Sequence, residues 1–284
     1  MNILLTGATG FIGSHLTPLL INTEHNVAIL KKSSTIVSVK NIKIYNSDTY
    51  NDINYAISNF KPNLIIHLAT LYLNKHEPEN INNLINSNIT FGTYLLEAMV
   101  KNKIKFFLNI GTRWQHINNE FYHPANFYAA TKEAFKNILL YYGTLGIKYK
   151  IIELSDTYGS NDNRQKIVDL LITSCLKNEQ IDLTPGEQIL DLLYVKDVCN
   201  YIISNISNEL FFDNDTVSLS GTIITIKDLG IMLEKKFNKN NLFLWGNKPY
   251  RDNEVMSPPV FYRTIKLNPQ SLENYIDNII LQTK

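Results

Sequence analysis

Through the first half of the chain, short apolar runs alternate with longer stretches whose apolar residues recur every three or four positions. Runs at 2–6, 27–30, 42–45, 64–67, 105–110 and 149–154 predict strands, since a few consecutive Val, Ile, Leu or Phe bounded by turn residues suit a buried strand. The periodic stretches at 11–21, 52–60, 79–101 and 125–142 predict the helices between them. This alternation predicts an α/β fold, a doubly wound parallel sheet with helices on both faces. Beyond residue 154 the pattern loosens: helices are predicted at 166–177, 195–206, 226–237 and 271–281, mixed with short strands such as 216–219. No Gly-, Pro- or Ser-rich linker and no internal repeat divides the chain. The expectation is a sheet domain over 1–155, with returning segments near 188–220, and a smaller C-terminal lobe over 156–284. The cleft between them is the default ligand site.

The first strand runs into the first helix through Leu5-Thr6-Gly7-Ala8-Thr9-Gly10-Phe11-Ile12-Gly13. Gly7 permits a tight turn, Gly10 lets the backbone approach a pyrophosphate, and Gly13 lets helix and strand pack closely. The phosphates then rest on free N–H groups at a helix N-terminus, which makes a ligand-free glycine turn the weaker reading. After the second strand stands Lys31-Lys32-Ser33-Ser34, where NAD enzymes usually carry an acid for the ribose hydroxyls. An acid would repel a 2′-phosphate that lysines and serines hold, so the loop predicts NADPH. NAD is the alternative, and a solvated basic loop the bland one.

Tyr128-Ala129-Ala130-Thr131-Lys132 places a phenol and an ammonium four residues apart, on one face of a helix. A tyrosine in this setting delivers a proton to a carbonyl oxygen, and a nearby ammonium lowers its pKa by favouring the phenolate. Thr112, at the end of the fifth strand, adds a hydroxyl hydrogen bond to the same oxygen. The spacing alone is weak, with sixteen tyrosines in the chain, and Tyr262 with Lys266 repeats it by chance. Composition adds exclusions. A net charge of +1 draws the chain to neither nucleic acid nor membrane. Cys175 and Cys199 have no metal or CxxC spacing, as in a reducing compartment, and both fall on apolar helix faces as core. With no leader and no spanning apolar stretch read from the sequence, the expected location is cytoplasmic.

These features resemble the extended short-chain dehydrogenase/reductases, also called the NAD-dependent epimerase/dehydratases. The matching residues run in the family's order: Thr6-Gly7 through Gly13, His67-Leu68-Ala69, Asn88-Ile89 with Gly92-Thr93, and Leu95-Leu96-Glu97-Ala98. Then follow Thr112, Pro124 with Tyr128 and Lys132, Tyr158-Gly159, and Asp191 with Tyr194-Val195-Lys196-Asp197. The resemblance implies a Rossmann-type domain, a lobe for a nucleotide-sugar, and Thr112, Tyr128 and Lys132 as catalytic residues. It implies cofactor contacts at the glycine turn, Asp48, Leu68 and Ala69, with Thr70 and Trp114 toward substrate. For Asp48 a turn-forming role is the ordinary alternative, and for Trp114, with Gln115, packing at the lobe boundary. A homodimer through a four-helix bundle of 79–101 and 125–142 is also implied.

Dehydratases of the family carry Asp-Glu directly after the catalytic Thr, and here stand Arg113-Trp114, which argues against dehydration. The segment from Ser174 to Gly186 is similar to the bacterial CDP-sugar 4-ketoreductases that make paratose and abequose, which use NADPH. Three positions depart from the family. Its Arg before Tyr-Gly is Glu153, its substrate Asn is Asp156, and its phosphate-gripping Arg before Asp191 is Leu190. An unpaired acid near a diphosphate is unfavourable, so other cations are needed: Arg251 first, then Arg164 and Lys166, each equally a solvated charge. His116 and His123 read as polar surface residues. The expected activity is NADPH-dependent reduction of a C4 ketone on a nucleotide-activated deoxysugar. The rivals are a 4-epimerase or 4-dehydrogenase that retains NAD, and a non-catalytic NADPH-sensing regulator.

Overall fold

The computed structural model describes residues 1–37, 39, 42–251 and 254–283. The first half builds β1 (Asn2–Thr6), α1 (Phe11–Ile21), β2 (Asn26–Lys31), β3 (Lys43–Asn46), α2 (Tyr50–Phe60) and β4 (Leu64–His67). It continues with α3 (Ile81–Ile85), α4 (Phe91–Lys101), β5 (Phe106–Thr112), α5 (Phe127–Thr144) and β6 (Lys148–Leu154). The six predicted strands are all present and pair in parallel in the order β3-β2-β1-β4-β5-β6. The apolar runs of β1, β2, β4, β5 and β6 are continuous because both faces are covered, whereas the edge strand β3 is largely exposed. Leu16 and Leu20 of α1 fill one face, while Ile53, Leu95, Phe135 and Leu139 from α2, α4 and α5 fill the other.

Local chemistry shifts the helix ends from where periodicity alone puts them. α2 starts two residues early because Thr49 and Asp52 cap each other: Asp52 N–H donates to Thr49 Oγ1 at 3.2 Å, and Thr49 N–H to the Asp52 carboxylate at 3.0 Å. α5 starts two residues late because the Asn126 side chain accepts the Ala129 N–H at 2.9 Å. The single helix expected over 79–101 is divided into α3, a π turn at Asn86–Thr90, and α4.

The second half adds β7 (Asp156–Tyr158), α6 (Ile167–Lys177), β8 (Ile181–Leu183), β9 (Ile189–Tyr194), α7 (Val195–Asn205) and β10 (Asp215–Ser220). It ends with β11 (Thr222–Thr225), α8 (Ile226–Phe237), β12 (Phe243–Trp245), β13 (Thr264–Lys266) and α9 (Ser271–Gln282). β10 joins β6, and β13 joins β10, both in parallel, so the large sheet reaches eight strands. α7 returns to pack against α1. β11-β9-β7 and β12-β8 form two small sheets, and α6, α8 and α9 close a third core around Leu171, Leu229, Leu233 and Leu272. Cys175 and Cys199 are buried free thiols. Strand order reverses between β1 and β4, and at such a point the strand ends part to leave a crevice.

Candidate active site

At that crevice the glycine turn is shaped by what it leaves out. A Cβ on Gly7, whose φ is 71°, would lie 2.5 Å from the Ala69 nitrogen, and one on Gly13 would lie 2.0 Å from the Gly7 carbonyl oxygen. Gly10 caps α1 with no side chain, and the first turn holds no acid. The N–H groups of Phe11, Ile12 and Gly13 therefore face an open cleft of about 450 Å³, which these residues line. Its shape and donors fit a dinucleotide pyrophosphate. Thr6 ties the crevice floor together: its hydroxyl meets His67 Nδ1 at 2.9 Å and accepts the Ala69 N–H at 3.2 Å. Burial, then the charge of Lys132, hold the His67 imidazole down to about 3, so it is neutral.

Lys31 and Lys32 lie on the cleft wall. The Lys31 ammonium donates to the Lys32 and Ser33 carbonyls, each at 3.2 Å. Asp48 is exposed and off that wall, its carboxylate accepting the Ser33 N–H at 3.1 and 3.2 Å. Asp48 thus shapes the lysine turn, while its neighbour Ser47 lines the cleft.

Thr112, Tyr128 and Lys132 meet in the same cleft, together with Leu68, Ala69, Thr70 and Trp114. Burial pushes the Tyr128 phenol up to about 12, with the charge of Arg164 opposing it. Burial likewise draws the Lys132 ammonium down to about 8. The lowering of Tyr128 by Lys132 expected from the spacing is not what governs the phenol here. The charge of Lys132 falls on His67 instead, and Tyr128 stays a protonated donor. Tyr72, unanticipated from sequence, stands edge-on to Tyr128 with ring centroids 5.1 Å apart and 6.5 Å from Trp114.

Asn88 is a second residue that motif reading left without a role. It is buried in the π turn, a distortion frequent at functional sites. Its amide nitrogen donates to the Leu71 carbonyl (3.0 Å) and Thr131 Oγ1 (2.9 Å), while its oxygen accepts from Leu71 N–H (2.7 Å) and Thr70 Oγ1 (3.0 Å). One amide so ties the loop after β4 to α5.

Behind Thr112 the chain makes a 3-10 turn, Arg113–Gln115, whose side chains diverge. Trp114 lines the cleft. Arg113 is buried and ion-paired with Asp191, tying the turn after β5 to β9. Gln115 and His116 are buried too. His116 therefore departs from the surface role expected of it, and the reason is Glu153. That acid is wholly buried on β6, facing His116 Nε2 at 3.1 Å and the Lys136 ammonium at 3.5 Å, away from any diphosphate. Lys136 also donates to the Tyr262 phenol at 2.7 Å, so Tyr262 belongs to this network and Lys266 lies exposed on the sheet edge.

Of the proposed phosphate-binding cations, Arg164 and Lys166 reach the cleft and Arg251 is exposed off its lining. Arg164 lies 4.2 Å over the Phe11 ring and is held by Asp162 at 2.6 Å. Lys166 lies 5.9 Å over Tyr72 and 3.2 Å from Asp156. Among the described residues no helix is long and apolar enough to cross a membrane, and no cluster of three His, Cys, Asp or Glu has metal-holding geometry.

Residues 3–210 match the profile of the NAD dependent epimerase/dehydratase family. The chain belongs to that family. It is 33% identical to the CDP-abequose synthase of Yersinia pseudotuberculosis over 286 residues, 99% of each chain. It is 27% identical to the CDP-abequose synthase of Salmonella typhimurium, over 89% of this chain and 87% of the relative. In fold it is similar to the UDP-glucose 4-epimerase of Thermotoga maritima, with TM-score 0.83 at 20% identity over the whole of both chains. The Thermus thermophilus UDP-glucose 4-epimerase, solved with NAD, gives 0.77 at 21% identity over 96% of this chain and 92% of that one. As an epimerase/dehydratase family member, the chain is an enzyme of the extended short-chain dehydrogenase/reductase type, and its Arg113 sits in the interior instead of facing substrate.

Proposed function

We propose that the chain is an NADPH-dependent reductase of the C4 ketone of a CDP-linked 4-keto-deoxysugar, in bacterial surface-polysaccharide sugar biosynthesis. The observation that carries this reading is the place after Thr112. It offers Arg113, buried and neutralised by Asp191, and the indole of Trp114, so no acid there abstracts a proton beside the ketone. What remains at the carbonyl is a protonated phenol, which is what a reduction needs. The likeness to two CDP-abequose synthases supports a CDP-linked deoxysugar, and Lys31 with Lys32 on the wall supports a 2′-phosphate.

Bound NADPH would supply a hydride to the carbonyl carbon. Tyr128 gives its phenol proton to the ketone oxygen as the C=O π pair moves onto that atom, and regains a proton from solvent after release. Thr112 donates a hydrogen bond to the same oxygen. The Lys132 ammonium steadies the charge that Tyr128 leaves behind and holds the nicotinamide ribose. Lys166 and Arg164 face the sugar's diphosphate across Tyr72 and Phe11. Two copies pair through a four-helix bundle of α4 and α5, whose outer faces expose Tyr94, Leu140 and Tyr141.

The test is a panel of CDP-, dTDP-, GDP- and UDP-linked 4-ketosugars followed by NADPH absorbance. The CDP-linked ketone is expected to consume NADPH faster than NADH, and Tyr128→Phe to slow it about 10²- to 10⁴-fold. A purified protein that carries NAD and cycles it without net consumption assigns the 4-epimerase activity instead.

A further inference from the structure

Thr112 is the last residue of β5, the point where the sheet stops fixing the chain. Its geometry must then come from the turn that follows. Its N–H donates to the side-chain oxygen of Gln115 at 2.9 Å. The amide nitrogen of the same Gln115 donates to the Glu133 carboxylate at 2.5 Å. Glu133 adjoins Lys132 on α5, so one buried amide joins the strand end that carries the hydroxyl to the helix that carries the phenol and ammonium. The amide's orientation is forced, since a backbone N–H only donates and a carboxylate only accepts. Gly111 makes the room: a Cβ there would lie 3.2 Å from the Gln115 oxygen and 3.0 Å from Glu153 Cγ. Meanwhile Thr112 Oγ1 accepts the Trp114 N–H at 3.3 Å, which leaves its own proton free to donate into the cleft.

We infer that Gln115, braced by Glu133, is the positioning residue that sets Thr112 against Tyr128 and Lys132. The inference rests on the reductase reading of the cleft. Glu133 is itself held from behind by Lys136 at 3.4 Å, and Lys136 by the phenol of Tyr262. The brace thus reaches into the C-terminal segment, where the His116 and Phe261 rings stack at 4.6 Å.

The experiment compares Gln115→Ala, Glu133→Gln, Gln115→Glu and the double swap Gln115→Glu/Glu133→Gln in the full-length enzyme. In the swap the carboxylate at 115 still accepts from Thr112 N–H and now also from the amide at 133, so the first link is kept and the second returns with donor and acceptor exchanged. Two readouts are taken: kcat against KM on the reducible ketosugar, and hydrogen exchange of the peptide spanning the Thr112 amide, without substrate. Gln115→Ala is expected to lower kcat about 100-fold, to move KM less than about threefold, and to speed exchange at Thr112. The swap is expected to restore both. Unchanged exchange in Gln115→Ala, or a loss confined to melting temperature with kcat intact, overturns the inference. A swap that recovers thermal stability but neither kcat nor exchange overturns it as well. A wild-type enzyme that reduces no ketosugar overturns the reductase reading, while exchange at Thr112 still decides whether Gln115 holds it.

Discussion

On the glycine side, the cleft wall is backbone: Phe11, Ile12 and Gly13 present N–H groups, and Gly7 and Gly13 leave no space for a Cβ. On the opposite side, around 112–115, the wall is held from behind by side chains, with Arg113 on Asp191 and Gln115 on Glu133. The first wall is fixed by what cannot be added, the second by partners that must be matched. Damage to the backbone wall is steric, and no second-site change in a side chain undoes it. Damage to the matched wall comes from a partner left alone, so removing the second partner relieves it.

That difference is broken most sharply at the ion pair. Arg113→Met leaves Asp191 charged and buried, and is expected to cost about 3–5 kcal/mol of stability in denaturant melts. Arg113→Met with Asp191→Leu is expected to recover only part of that loss, because Asp191 also accepts the Gly221 N–H at 2.7 Å, a donor the Leu leaves unpaired. Gly13→Ala tests the other wall. Its methyl meets the Gly7 carbonyl oxygen, so about 1–3 kcal/mol is lost as in other overpacked sites, together with dinucleotide binding measured by calorimetry. A melt and a titration indistinguishable from wild type would show that α1 yields, and the contrast would fall.

The smallest effect concerns protons between the two walls. Lys132 acts charged, and its folded pKa lies below its ordinary value, at about 8, so the ammonium is present below that pH and lost above it. kcat is expected to fall as pH rises through about 8. Lys132→Arg, which keeps its charge, is expected to flatten that limb of the pH–rate profile. A limb of the same position in both enzymes assigns it to another group.

Sequence made the backbone wall legible and the side-chain wall opaque, for a physical reason. A strand, three glycines and a helix are contiguous, so their chemistry is local, and the six first-half strands follow from their own apolar runs. Glu153 misled because every residue of β6 after Lys148 is buried, on both faces, and alternation then gives no sign of direction. Its partners Lys136 and His116 come from other elements, as does Asp191 for Arg113. Asn88 and Gln115 were visible as letters, yet their roles depend on which backbone groups the fold brings to their amides. Tyr72 lies in a loop with no periodicity, and what marks it is its packing against Tyr128 and Trp114 and beneath Lys166.

The eight-stranded sheet opens with Asn2 and finishes with Thr264–Lys266. During synthesis, β10 must stand as a bare edge, with backbone groups open to any passing strand, until some forty further residues have left the ribosome. The nascent chain is thus exposed to mispairing until β13 has emerged to cover β10. Deleting only β13 and α9 would create that same edge permanently, making self-association of the truncated chain the failure to watch for.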